Sequence, residues 1–257
     1  MPWYWWVVLP STVWVIYTLD HLFDGLKVKE KAQTIRHQMH YKYRKLIFWL
    51  AGIISAINIY LVIFYFDKEL IEFGVVLSAC VGAYLIIYQL FNRSTKKSYL
   101  KEITVALIYT VGIAGGPYVL SEELYAPYFY MSVYFIFALS NLLIFSLYDY
   151  EKDKKNGFTS LAQSMGERKV HKLALIMLTS VLLFSLLLGG IAYNSASAVE
   201  ELYGINLYSK LITPSILLLI TIGLMALLAF PKWFAVNERY RFLGDGVFLF
   251  PLILLCV

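Results

Sequence analysis

Two pairs of aspartates in this sequence share the spacing Asp-x-x-x-Asp, and each pair follows an apolar segment. Asp20 and Asp24 lie in YTLDHLFDGLK, and Asp149 and Asp153 lie in LYDYEKDKKNG. Residues four apart lie on one face of a helix, so each pair can direct two carboxylates toward one point. Carboxylates are unfavourable near lipid and at a helix C-terminus, and a bound divalent cation relieves both costs. Because Mg²⁺ prefers carboxylate and phosphate oxygens, the two pairs predict a site for Mg²⁺ and a diphosphate.

Composition indicates that membrane spans hold these acids. Of 257 residues, 60% are apolar and 15% are charged, whereas about 25% of the residues in a typical soluble domain are charged. A spanning helix needs roughly 17–25 mainly apolar residues. We therefore expect an all-α, polytopic transmembrane helix bundle of about eight spans, forming a single domain over residues 1–257. The predicted spans are residues 3–22, 46–66, 71–91, 103–120, 128–148, 173–194, 209–230 and 242–257.

Basic residues alternate between successive predicted loops. The loops after the first, third, fifth and seventh spans are rich in Lys and Arg, whereas the intervening loops are not. Cytoplasmic loops carry the excess of Lys and Arg, so this alternation predicts cytoplasmic basic loops and both termini outside. Both acidic pairs then lie at cytoplasmic helix ends. The alternation also accounts for the net charge of +5, so we expect membrane lipids as partners and no nucleic acid.

A solvated helix cap is the alternative interpretation of the acids. Nearby lysines are available to neutralise them, namely Lys27, Lys152 and Lys154. Two equally spaced pairs on one predicted side of the membrane favour the metal site over two unrelated caps.

The segment DYEKDKKNGFTSLAQSMG resembles the second signature of the UbiA-type intramembrane prenyltransferases. That signature has an Asp-x-x-x-Asp pair, a Gly four residues on, Ser or Thr before Leu-Ala or Leu-Pro, and a final Gly. The matching residues here are Asp149, Asp153, Gly157, Ser160-Leu161-Ala162 and Gly166. DHLFDG resembles the first signature, Asn/Asp-x-x-x-Asp, through Asp20 and Asp24. The two signatures lie four spans apart, as in the family, so the resemblance covers nearly the whole chain.

The resemblance implies a UbiA-like fold and a Mg²⁺-dependent transfer of a prenyl group from a prenyl diphosphate. The acceptor would be an aromatic or other lipophilic molecule within the membrane. The catalytic and metal-binding residues would be Asp20, Asp24, Asp149 and Asp153. We expect the inner or plasma membrane of a prokaryote, with the active site facing the cytoplasm.

Basic residues near the signatures are candidates for contact with the diphosphate. Lys97 and Lys101 precede the fourth span, where family members often carry such residues, although ordinary positive-inside charge is the alternative. Arg36, His40 and Arg44 recur every four residues and would form a basic stripe suited to phosphate or anionic headgroups. A solvated surface is the alternative for this stripe. His37 and His40 could suggest a metal pair, but no third ligand is evident beside them in the sequence.

Three departures from the family pattern bear on activity. Val28 stands where the first signature often has a third aspartate, and TIRHQMHYKYRK replaces an Arg-Pro-rich continuation. The first signature follows one span here and normally follows two, so we expect a fold lacking the family's first helix.

Two functional classes therefore stay open. One is a prenyltransferase, favoured by the dense match at Asp149–Gly166. The other is a non-catalytic relative that binds an isoprenoid or assists another membrane enzyme, favoured by Val28 and the missing helix. A phosphotransferase acting on CDP-linked alcohols is disfavoured, because its longer Asp-Gly…Asp…Asp pattern has no match in the sequence.

Overall fold

The computed structural model contains helices and no strand within the ranges that it describes, which are residues 3–29, 35–91, 99–120, 125–156, 159–203 and 207–255. The α-helices are α1 (Trp3–Val28), α2 (Ile35–Lys42), α3 (Arg44–Tyr65), α4 (Lys68–Phe91), α5 (Tyr99–Leu120), α6 (Tyr125–Tyr148), α7 (Tyr150–Asn156), α8 (Leu161–Met165), α9 (Glu167–Tyr203), α10 (Leu207–Ala229), α11 (Pro231–Ala235) and α12 (Arg239–Gly246). Two 3₁₀ segments, Val236–Glu238 and Val247–Leu255, flank α12. The all-helical prediction is confirmed for these residues.

Seven helices in the described part of the chain are long and apolar enough to cross a membrane. Their apolar stretches are Trp3–Leu26, Arg44–Tyr65, Lys68–Ile87, Lys101–Leu120, Met131–Tyr148, Glu167–Asn194 and Leu211–Ala229. They coincide with the first seven predicted spans and are compatible with an integral membrane protein.

The predicted eighth span, residues 242–257, differs from the structure. Over the described residues of this segment, α12 ends at Gly246 and a 3₁₀ segment continues from Val247 to Leu255. Glycine lowers helix stability because it loses the most backbone freedom on folding, and two glycines, Gly244 and Gly246, close α12. Pro251 then removes a backbone donor inside the 3₁₀ segment.

The chain divides into two compact units, each described separately below. The first unit comprises Met1–Met131 and Glu151–Thr159, and the second comprises Ser132–Tyr150 and Ser160–Val257. The prediction that the chain acts as one membrane domain stays a prediction.

A polar contact fixes α1 against α3 in the first unit. Asn58 on α3 is buried, and its Nδ2 donates to Thr12 Oγ1 on α1 at 3.1 Å. Ser11 Oγ donates to Asn58 Oδ1 at 2.7 Å. Polar groups away from water need such partners, so this contact sets the register of α1 on α3. α1 also packs against α2, and α4 packs against α5.

Within the second unit, close contacts at two glycines join the C-terminal segment to α10 and α6. α9 and α10 pack along each other, and α10 also packs against α12 and the 3₁₀ segment Val247–Leu255. A Cβ built on Gly223 of α10 would lie 2.5 Å from Val247 Cγ1. A Cβ built on Gly244 of α12 would lie 2.5 Å from Phe145 Cε1 and 2.6 Å from Asn141 Oδ1 on α6. α12 can therefore approach α6 this closely because residue 244 has no side chain.

We expect Gly244→Ala to destabilise the protein, whereas Gly246→Ala does not. The added methyl at 244 overlaps α6 and should lower the free energy of unfolding by about 1–3 kcal/mol. A Cβ at Gly246 meets nothing within 4 Å, so the same change there tests helix propensity alone. Thermal unfolding of detergent-purified protein, followed by tryptophan fluorescence, measures both effects. Equal midpoints for the two variants would contradict the close approach.

Candidate functional site

An Asp-His-Asp group lies near the C-terminal end of α1. Asp20, His21 and Asp24 each offer one ligand atom, and these atoms all lie within 4.8 Å of one another. His21 is 7% exposed and Asp24 is 4% exposed. Asp20 Oδ1 is buried without a hydrogen-bond partner among the residues that the structure describes. Asp20 and Asp24 thus share one face of a continuous helix, as their spacing predicts.

His21 is the member of this group that sequence reasoning missed. Its ring packs edge-on against Tyr17, with centroids 4.1 Å apart, and against His40 of α2, with centroids 5.7 Å apart. The prediction paired His40 with His37, whose side chain lies outside the described residues. The adjacency of Asp20 and His21 was the available signal, because consecutive residues near a helix end can both reach one ion. The structure therefore places a third residue that could serve as a metal ligand on α1, beside Asp20 and Asp24.

The second aspartate pair does not lie on one uninterrupted helix. Asp149 occupies a turn between α6 and α7, although its backbone N–H still donates to Phe145 O at 2.9 Å. Asp153 follows within α7 and is half-buried. Asp149 belongs to the second unit, whereas Asp153 belongs to the first. A turn therefore interrupts the helix at Asp149, and the common face predicted for this pair stays a prediction.

Both carboxylate oxygens of Asp149 are engaged by α12. Tyr240 donates its hydroxyl hydrogen to Asp149 Oδ1 at 2.6 Å. Arg241 forms an ion pair with Asp149 Oδ2 through its guanidinium. Arg241 Nε also lies 3.4 Å from Glu238 Oε2. The carboxylate is neutralised by protein groups at the place where the sequence predicts a metal.

Aromatic packing holds Tyr240 in position. Its ring stacks on Tyr148 with centroids 4.3 Å apart and an interplanar angle of 2°, and it meets Phe145 edge-on at 5.5 Å. Tyr148 in turn donates to Leu227 O at 2.7 Å. Burial raises the pKa of Tyr240; Arg241 opposes this rise in pKa, and Asp149 adds to it. The phenol is therefore protonated at neutral pH and serves as a donor to Asp149.

Two residues before α12 adopt left-handed backbone conformations. Asn237 has φ 52° and Glu238 has φ 56°. Asparagine tolerates this region well, whereas glutamate occupies it less often. Glu238 in this turn forms an ion pair with Arg241. Arg241 therefore interacts with both the turn and Asp149.

Of the three residues predicted to contact the diphosphate, the structure describes the side chain of Lys101 alone. Lys101 is half-buried on α5, beside the buried Glu102. Lys97 lies outside the described residues, and Arg36 has a described backbone in α2 but a side chain outside the description. Gly157 of the second signature also lies outside it. The roles of these residues stay predictions.

The chain was compared with protein families, curated proteins and solved structures. No protein-family model, curated protein or solved structure matches this chain.

We expect Arg241→Gln to destabilise the protein strongly, because it leaves the buried Asp149 carboxylate without its cation. Removing one partner of a buried ion pair typically lowers the free energy of unfolding by about 3–5 kcal/mol. Arg241→Gln combined with Asp149→Asn should recover part of the loss. Unfolding midpoints of the single and double variants in detergent measure the coupling.

Arg239→Gln is the matched control. Arg239 lies two residues away and stacks over Trp233 at 4.7 Å, a contact worth about 0.5–1 kcal/mol. Strictly additive losses for Arg241→Gln and Asp149→Asn would show that the pair contributes no coupling energy.

Proposed function

We propose that this chain is an intramembrane enzyme that transfers a prenyl group from a prenyl diphosphate to an aromatic or other lipophilic acceptor. The observation that carries the proposal is the Asp20, His21 and Asp24 group at the end of an apolar helix. We further propose that this group faces the cytoplasm of an inner or plasma membrane, because the basic loops lie on that predicted side.

The donor set fits a divalent cation. Two carboxylates and one imidazole have ligand atoms within 4.8 Å of one another, and two of the three residues are at least nine-tenths buried. Carboxylate oxygens suit Mg²⁺, and such sites usually leave positions for water and substrate phosphate. When bound there, Mg²⁺ would offset the charge of the diphosphate and make it a better leaving group.

The chain's own residues would bind and orient the substrate. Asp20 and Asp24 would hold the cation on α1, and the contacts of His21 with Tyr17 and His40 orient its ring. Lys101, with Lys97 and Arg36, would contact the diphosphate oxygens. The apolar helices around them would accommodate the isoprenoid chain and limit the access of water to the allylic carbon.

A second candidate is a non-catalytic protein that binds an isoprenoid or assists another membrane enzyme. One observation favours it: Tyr240 and Arg241 occupy both oxygens of Asp149. In this arrangement Asp149 stabilises α12. Each of its carboxylate oxygens already has a protein partner, so a metal would have to displace one of them.

Release of diphosphate from a panel of prenyl diphosphates distinguishes the two candidates. We expect Mg²⁺-dependent release by the purified protein and a loss of about 100-fold or more in Asp24→Asn, since the substitution removes a metal ligand. Asp149→Asn and Asp153→Asn in the same assay test the predicted second pair.

Asp67→Asn is the control, because Asp67 is exposed and lies in the short link between α3 and α4. It should release diphosphate at the wild-type rate. No release by the wild-type protein across the panel would support the non-catalytic candidate.

A further inference from the structure

A groove lies between the C-terminal part of α1 and the start of α3, within the first unit. Its volume is about 260 Å³. Four apolar side chains and two cations line it: Leu22, Leu26, Arg44, Lys45, Phe48 and Trp49. No carboxylate lines this groove, so it differs in chemistry from the Asp-His-Asp group.

The two cations carry charge that the described part of the protein does not neutralise. Arg44 and Lys45 are both exposed, and neither forms an ion pair with a described residue. Arg44 Nη1 donates to Tyr41 O at 2.9 Å, and its guanidinium lies 4.7 Å from the Tyr41 ring centroid. These neutral contacts orient the guanidinium and leave its charge available to an anion.

Aromatic side chains continue the groove one helical turn further along α3. Phe48 and Trp49 follow the cations by four residues, so they lie on the same helix face. They are 62% and 70% exposed, and Leu26 of α1 is 40% exposed. Arg44 begins the apolar stretch that is long enough to cross the membrane. The cations therefore stand at the end of a span and the aromatics stand inside it, where hydrocarbon begins.

We propose that this groove binds an anionic phospholipid. The phosphate lies at Arg44 and Lys45, and the upper part of one hydrocarbon chain lies along Phe48, Trp49 and Leu26. Charge complementarity selects the anionic headgroup, and the adjoining apolar wall selects an amphiphile over free phosphate. The volume suffices for a phosphate and the first part of a chain, with the rest of the lipid in the bilayer. The proposal is independent of prenyl transfer.

Native mass spectrometry of the 257-residue protein tests this site with two probes, dioleoyl phosphatidylglycerol and dioleoyl phosphatidylcholine. We expect the wild-type protein to retain the anionic lipid about 25-fold more strongly than the zwitterionic one, because two cations act on the same headgroup. Each cation near the membrane surface contributes about fivefold to such a preference. R44Q/K45Q should lose the preference, whereas R44K/K45R should keep it.

K154Q/K155Q is the matched control, because Lys154 and Lys155 are also adjacent, exposed and on the predicted cytoplasmic side. It should retain the anionic lipid as the wild type does. Trp49→Ala keeps both charges and should weaken retention severalfold, which provides a second test if R44Q/K45Q folds poorly. Unchanged preference in R44Q/K45Q, an equal loss in K154Q/K155Q, or displacement of the lipid by equimolar glycerol phosphate would overturn the proposal.

Discussion

The energetic cost of a carboxylate at the end of a long apolar helix is the constraint on which both acidic regions depend. An ionised acid near hydrocarbon needs a compensating charge or strong hydrogen bonds. Asp149 obtains both from α12, through Arg241 and Tyr240. Asp20 and Asp24 of α1 lie close to each other and to His21. A cluster of two like charges favours a cation more strongly than a single neutralised acid does.

This difference separates two motifs that have the same spacing. Asp149 is part of a structural contact that extends through the stacked Tyr148 and Tyr240 rings to the backbone of α10. The loss of Arg241 would therefore affect folding as well as charge. Asp24 is comparably buried, but it lies within a set of ligand atoms that fits one ion. The ligand atoms of Asp20, His21 and Asp24 lie close enough together that they could hold one ion, and this group is therefore the metal site that we propose.

The spans could be predicted from the sequence because a run of apolar residues long enough to cross a bilayer has few alternatives. The structure of the final segment, residues 242–255, could not be predicted in this way. Gly244, Gly246 and Pro251 interrupt the α-helix there but lower the hydropathy of the segment only slightly. The shared face of Asp20 and Asp24 followed from helical periodicity. The partners of Asp149 could not be predicted from helical periodicity, since Tyr240 lies 91 residues further along the chain. Such contacts depend on tertiary packing, in particular on the missing side chain of Gly244 that lets α12 approach α6.

Binding of Mn²⁺ to the purified protein tests the central claim most directly, because it reports the ion itself and requires no turnover. Free Mn²⁺ is followed by its electron paramagnetic resonance signal during titration, with and without a non-hydrolysable prenyl diphosphate analogue. The account predicts saturable binding that the analogue strengthens and that Asp24→Asn weakens by at least about tenfold, with Asp67→Asn unchanged. Equal Mn²⁺ affinity in Asp24→Asn and the wild-type protein would contradict it.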